Sequence, residues 1–159
     1  MYSLDTYRMK LQEVVASIKA WSGFVADVAR VETHDEGDGW RLAMQPSAPG
    51  ACPIEMLLDG SSLKCDLRIG GETYEDLELP SLDIVLPLVE AVADGRVMTR
   101  LTRSAFTGMR IGADTLIKLA DGTEIVLPPT PAAGIAGDAA VERRSVHYLP
   151  YRKPEGRGC

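Results

Sequence analysis

The chain has 159 residues, 45% of them hydrophobic and 25% charged, the balance of one ordinary globular domain, which excludes wholesale disorder, collagen-like repeats and a coiled-coil rod. Its 17 Lys and Arg against 23 Asp and Glu give a formal charge of -6, so neither nucleic acid nor an anionic membrane is expected as a partner. Three cysteines close no disulfide framework, and Asp5, Arg8, Lys10, Glu13 and Lys19 break up any export signal, so a cytoplasmic protein with reduced thiols is expected.

From Asp5 to Trp21 the residues Tyr7, Leu11, Val14, Val15, Ile18 and Trp21 recur at three- and four-residue steps and predict a helix. Ser3 or Asp5 can cap its start, Gly23 its end, and Arg8, Lys10, Gln12, Glu13 and Lys19 take the solvent face. The period then switches to two. Five strands are predicted, near Val25–Thr33, Trp40–Gln45, Ile54–Leu58, Leu63–Ile69 and Glu72–Leu77. Trp40, Leu42 and Met44 alternate with Arg41, Ala43 and Gln45, and Cys65, Leu67 and Ile69 with Lys64, Asp66 and Arg68. Each strand therefore has one dry face and one wet face, as in antiparallel sheets. Asp38-Gly39, Asp59-Gly60 and Gly70-Gly71 mark hairpin turns, and only Pro46 to Pro53 is long enough to cross between sheet edges.

After Pro80, Leu82, Val85, Leu86, Val89 and Val92 return to helical spacing, with Ser81 as N-cap and Gly95 as stop. Pro87 requires this helix either to kink or to begin close by. Strands follow near Arg96–Arg103, Gly108–Gly112, Thr115–Ala120 and Thr123–Leu127. This order predicts an α+β domain over residues 1–127, a mainly antiparallel sheet of eight to nine short strands with two helices covering one face. Residues 128–159, Pro/Gly/Ala-rich and then basic, read as a C-terminal tail. They carry five basic and three acidic groups, which leaves a net -8 on the rest.

Chemistry-bearing patterns are sparse. Only His34 and His147 are available as imidazole ligands, and the cluster His34, Asp35, Glu36 and Asp38 lacks the spacing of a calcium loop, so neither metal nor cofactor is expected. Cys65 falls on the dry face of a strand, and Cys52 and Cys159 have no neighbouring base, so none is expected to be a nucleophile. Asp66, Glu75, Asp76 and Glu78 are the carboxylates that could converge for acid–base work. The basic constellation Arg96, Arg100, Arg103 and Arg110 is the candidate anion site. Ordinary salt-bridging on a wet sheet face explains it equally simply.

The expected function is therefore a non-catalytic protein-binding module of the adaptor, chaperone or inhibitor kind, acting on a protein partner that the sequence leaves unspecified. The alternative is a small domain that binds an anionic ligand, or an enzyme, using Arg96, Arg100 and neighbouring acids. Ile54, Met56 and Leu58, with Glu55 as the only charge among them, form a poorly defended strand whose edge could pair with its own copy in a two-fold homodimer. Tyr148 and Tyr151 are the tail residues expected to dock, either on a partner or back on this chain.

Overall fold

The computed structural model describes residues 3–35, 37–128 and 141–152. Within them the chain forms two helices and nine strands in two antiparallel sheets, an α+β fold. Helix α1 (Leu4–Ser22) starts at Ser3, whose hydroxyl accepts the Thr6 amide. Strands β1 (Ala29–Asp35), β2 (Gly39–Pro46), β3 (Ile54–Asp59), β4 (Lys64–Ile69) and β5 (Glu72–Glu78) make a sheet in chain order. Val25–Val28 is not strand, because the Val28 and Ala29 amides bond back to the Val25 carbonyl in a tight turn. The Pro46–Pro53 connection crosses nothing: β2 and β3 are bonded neighbours, so it is a wide hairpin loop.

A 3-10 turn at Leu82–Ile84 leads into α2 (Val85–Ala93). Pro87 thus lies in the first helical turn, where its missing N–H would have had no helical acceptor, so the helix begins near Pro87 and is not kinked by it. The second sheet has the order β8-β7-β6-β9, with β6 at Val97–Ser104, β7 at Arg110–Lys118, β8 at Glu124–Leu127 and β9 at Val141–His147. The two strands expected at 108–112 and 115–120 are one continuous strand, and the ninth strand comes from the segment read as tail.

One core unites these parts. The inward row of the first sheet, including Leu42, Met56, Leu58, Leu67 and Ile69, meets Tyr7, Val14 and Ile18 of α1. In α2, Val85, Val89, Ala91 and Val92 are fully buried, the condition of a helix that is apolar all round. At about 25 cal/mol per Å² of apolar surface, each such Leu or Ile contributes roughly 2 kcal/mol.

The boundary at Leu127 is corrected. Strand β9 pairs with β6 along its whole length, and the segment after it runs against the β2–β3 loop and the end of α2. The Leu149 amide bonds the Gly50 carbonyl at 2.9 Å, the Tyr151 amide bonds the Ala93 carbonyl at 2.8 Å, and the Tyr151 hydroxyl donates to the Cys52 carbonyl at 2.6 Å. Arg152 closes the strap on both carboxylate oxygens of Asp27, at 2.7 and 2.8 Å. The chain's later contribution to the fold comes from residues 141–152, well past the point where the hydrophobic periodicity stops. Cys159 lies outside the described residues.

Candidate protein-docking surface

The four predicted arginines do not form one site. Arg100 donates from Nε to both oxygens of Asp114, 3.1 and 3.3 Å away, across the β6–β7 pair. Arg96 is held by Asp94 at 2.8 Å, and Arg110 by Glu72 at the start of β5. Arg103 is exposed, its backbone between Arg110 and Glu142. Three of the four are therefore already matched with a carboxylate, and an added anion would have to displace it. An open depression of about 920 Å³ lies elsewhere, along the turns of the first sheet, and is lined by acids and bases together, including Asp59, Asp66 and Asp76 with Arg8, Arg41 and Lys64.

Of the predicted carboxylates, Asp66 and Asp76 do meet, because a bulge in β4–β5 turns Asp76 to φ 55 and its amide donates to Asp66 at 2.9 Å. Lys64 sits 3.3 Å from Asp76, so the pair is an exposed, salt-bridged feature of the sheet surface. Cys52 and Cys65 are both buried, and burial pushes their thiols up to about 12 and about 11. Neither forms appreciable thiolate near neutral pH, which removes both as nucleophiles. Among the described residues no group of three or more His, Cys, Asp or Glu gathers as a metal site, and no helix is long and apolar enough to cross a membrane. Glu36 lies outside the described residues.

The predicted partner-binding residues are corrected as well. Strand β3 is the central strand of the first sheet, bonded on both sides, and Ile54, Met56 and Leu58 are buried in the core. Their apolar run reflects two covered flanks, so the edge-pairing route to a homodimer is lost. Tyr151 is core, and the half-buried Tyr148 donates its hydroxyl to the Gly70 carbonyl at 3.1 Å. Both tyrosines dock on this chain itself.

The structure presents another surface at the end of the β6–β7 hairpin. The Ser104 hydroxyl accepts the Phe106 and Thr107 amides, the Thr107 hydroxyl accepts the Met109 amide, and the Gly108 amide bonds the Ser104 carbonyl at 2.8 Å. These bonds build the turn from backbone and hydroxyl groups alone. Its apolar side chains add nothing to that framework and point to solvent, with Phe106 87% exposed and Met109 69%, and Ile111, the second residue of β7, is 45% exposed. Arg100, Arg103, Arg110, Arg143 and Arg144 lie on the strands behind them, against Asp114 and Glu142. Sequence periodicity missed this site because a short apolar interruption in a turn has no period. The signal was Phe106 and Met109 themselves, two large apolar residues flanking a turn glycine.

Compared with known proteins, the chain matches no family model, no curated protein and no solved structure.

Proposed function

We propose that this is a non-catalytic protein-binding module of the adaptor, chaperone or inhibitor kind that docks through the β6–β7 turn. The observation that carries this reading is the exposure of Phe106 and Met109 on a turn that contributes nothing to the core, with Ile111 exposed at the start of β7 beside it. Clustered apolar side chains on a surface are stabilised when a partner covers them, and an excess of arginine behind them favours a partner whose contact surface is apolar with acidic residues around it. Buried, unactivated thiols and carboxylate-matched arginines favour binding over catalysis. Two free buried thiols also support a reducing, cytoplasmic setting.

Photo-crosslinking in the native cell tests this reading. A photoreactive residue replacing Phe106 is expected to give discrete adducts that Met109→Ser abolishes, whereas the same residue at Arg68, on the solvent face of β4, gives none. Identical adduct patterns from the two positions, or no adduct from position 106, overturn the proposal. If the adduct is a second copy, light scattering will show a dimer that Phe106→Ser converts to monomer.

A further inference from the structure

The first sheet ends at β1, beside a groove against α1. Among the described residues β1 has a partner on one side only, and its pairing with β2 runs through all seven residues without a bulge. The other edges are managed. Strand β5 is broken by the Asp76 bulge and leaned on by the second sheet through Tyr74–Thr115 and Arg110–Glu72. Strand β8 is four residues long, and β9 carries Glu142, Arg143 and Arg144 in succession. Short length, bulges and charge are the usual defences of an edge. Strand β1 carries Arg30 and Glu32, paired to each other at 2.8 Å, and Asp35 at its end, while its positions on the covered side of the sheet, Val31 and Thr33, are uncharged and half-buried.

Alongside lies a groove of about 450 Å³. Its helical wall is one face of α1, with Leu11 and Val15 between Arg8 at one end and Lys19 at the other. Thr33, His34 and Asp35 of β1 form the opposite wall, with Trp40 beside them. The Asp35 carboxylate is engaged, accepting the Gly37 amide at 3.3 Å. Trp40 is buried, and its indole N–H has no acceptor among the described residues, which is costly in a dry interior. Arg8 and Lys19 are eleven residues apart on a helix, about 16 Å at 1.5 Å per residue. An extended chain covers about 13 Å in four residues at 3.3 Å each, and long basic side chains span the difference.

We propose that this groove binds an extended peptide segment of a partner protein, which adds as a sixth strand to the free edge of β1 and sets two acidic side chains, four residues apart, against Arg8 and Lys19. The residue midway between the acids faces the same way and is apolar, packing on Leu11 and Val15. Main-chain bonds to β1 supply affinity, and the acid–apolar–acid alternation supplies selectivity. The site is separate from the Phe106 turn and stands or falls independently of it.

The probe is the heptapeptide Thr-Asp-Thr-Val-Thr-Asp-Thr, acetylated and amidated, titrated into the isotope-labelled full chain to millimolar concentration and followed by amide NMR and hydrogen exchange. Shifts are expected in β1 and in residues 8–19, together with at least tenfold slower exchange of the β1 amides that β2 leaves unbonded. Arg8→Glu combined with Lys19→Glu, both at exposed positions, should weaken binding at least tenfold. The same peptide with Lys in place of Asp should bind that variant and not the parent. Phe106→Ser should change nothing here, which separates failure of this proposal from failure of the docking turn. Absence of binding, binding without protection of β1, or indifference to the charge reversal each overturns the proposal.

Discussion

Tyr151 reaches the Cys52 carbonyl from 99 positions away in the chain, and this one contact joins the strap to the loop between β2 and β3. Tyr151→Phe removes the donor and strands a buried carbonyl, so a loss of about 1 to 3 kcal/mol is expected in urea denaturation, with the fold retained. As a loop residue Cys52 would tolerate serine. It is instead fully buried, with only the Pro53 carbonyl, 3.4 Å from its sulfur, as an acceptor, so Cys52→Ser trades a larger apolar thiol for a desolvated hydroxyl and should cost about 1 kcal/mol or more. Cys65→Ala should cost about 1 to 2 kcal/mol as a small cavity, and neither substitution should alter crosslinking from position 106. Arg100 and Asp114 are partly exposed, and Arg100→Ala should shift stability by no more than about 1 kcal/mol despite the good geometry of the pair.

At the scale of elements, one close junction is the end of α2 against the strap. Gly95 has φ 76, and a β-carbon there would stand 2.6 Å from the Pro150 nitrogen and 2.8 Å from the Leu149 carbonyl carbon. Gly122, at φ 91, has open space around it. Gly122→Ala therefore bears only the left-handed penalty, about 1 kcal/mol, whereas Gly95→Ala must also push the strap off α2 and should cost at least about twice as much. Comparing the two denaturation midpoints isolates the junction, and equal midpoints would show that the strap does not bear on α2. Strand membership follows similar logic. The alternation in Trp40–Gln45 and in Leu63–Ile69 was legible because one face is dry and the other wet. The bulged pairing at Gly112–Arg110 and the turn at Val25–Val28 were not, since each depends on which backbone group finds a partner.

For the whole molecule, a chain ending at residue 127 should lose cooperative melting, because it would strip β9 from β6 and leave the Cys52 and Ala93 carbonyls without the strap. Cooperative melting of that fragment would show that residues 141–152 are dispensable to the core. Alkaline stability is a second global property. The Cys52 and Cys65 thiols, ordinarily near 9.0, are raised by burial to about 12 and about 11 in the native state. Above pH 9 the unfolded chain releases these protons while the native state keeps them, so the unfolded state binds fewer and stability falls as pH rises. The contribution is complete below pH 9 and is lost through pH 11 to 12. The urea midpoint should decline over that window, and less steeply in the Cys52→Ser, Cys65→Ala double variant.

The sequence by itself determined the α+β class, the two helices, most strands of the first sheet and the wet and dry face of each, because periodicity is a local consequence of side-chain direction and burial. Only the tertiary structure decided that β3 is central, that the strands divide into two sheets, that Val141–His147 is a sheet strand and Tyr151 a core residue, and that Arg96, Arg100 and Arg110 each face a carboxylate. An apolar run such as Ile54–Leu58 looks the same from the sequence whether its flanks are covered by neighbouring strands or stand open at an edge. The difference lies in the backbone partners on β2 and β4, and elsewhere in contacts such as Tyr151–Cys52 and Arg152–Asp27 whose long loops cost only slightly more to close and leave no local trace in the residues that meet.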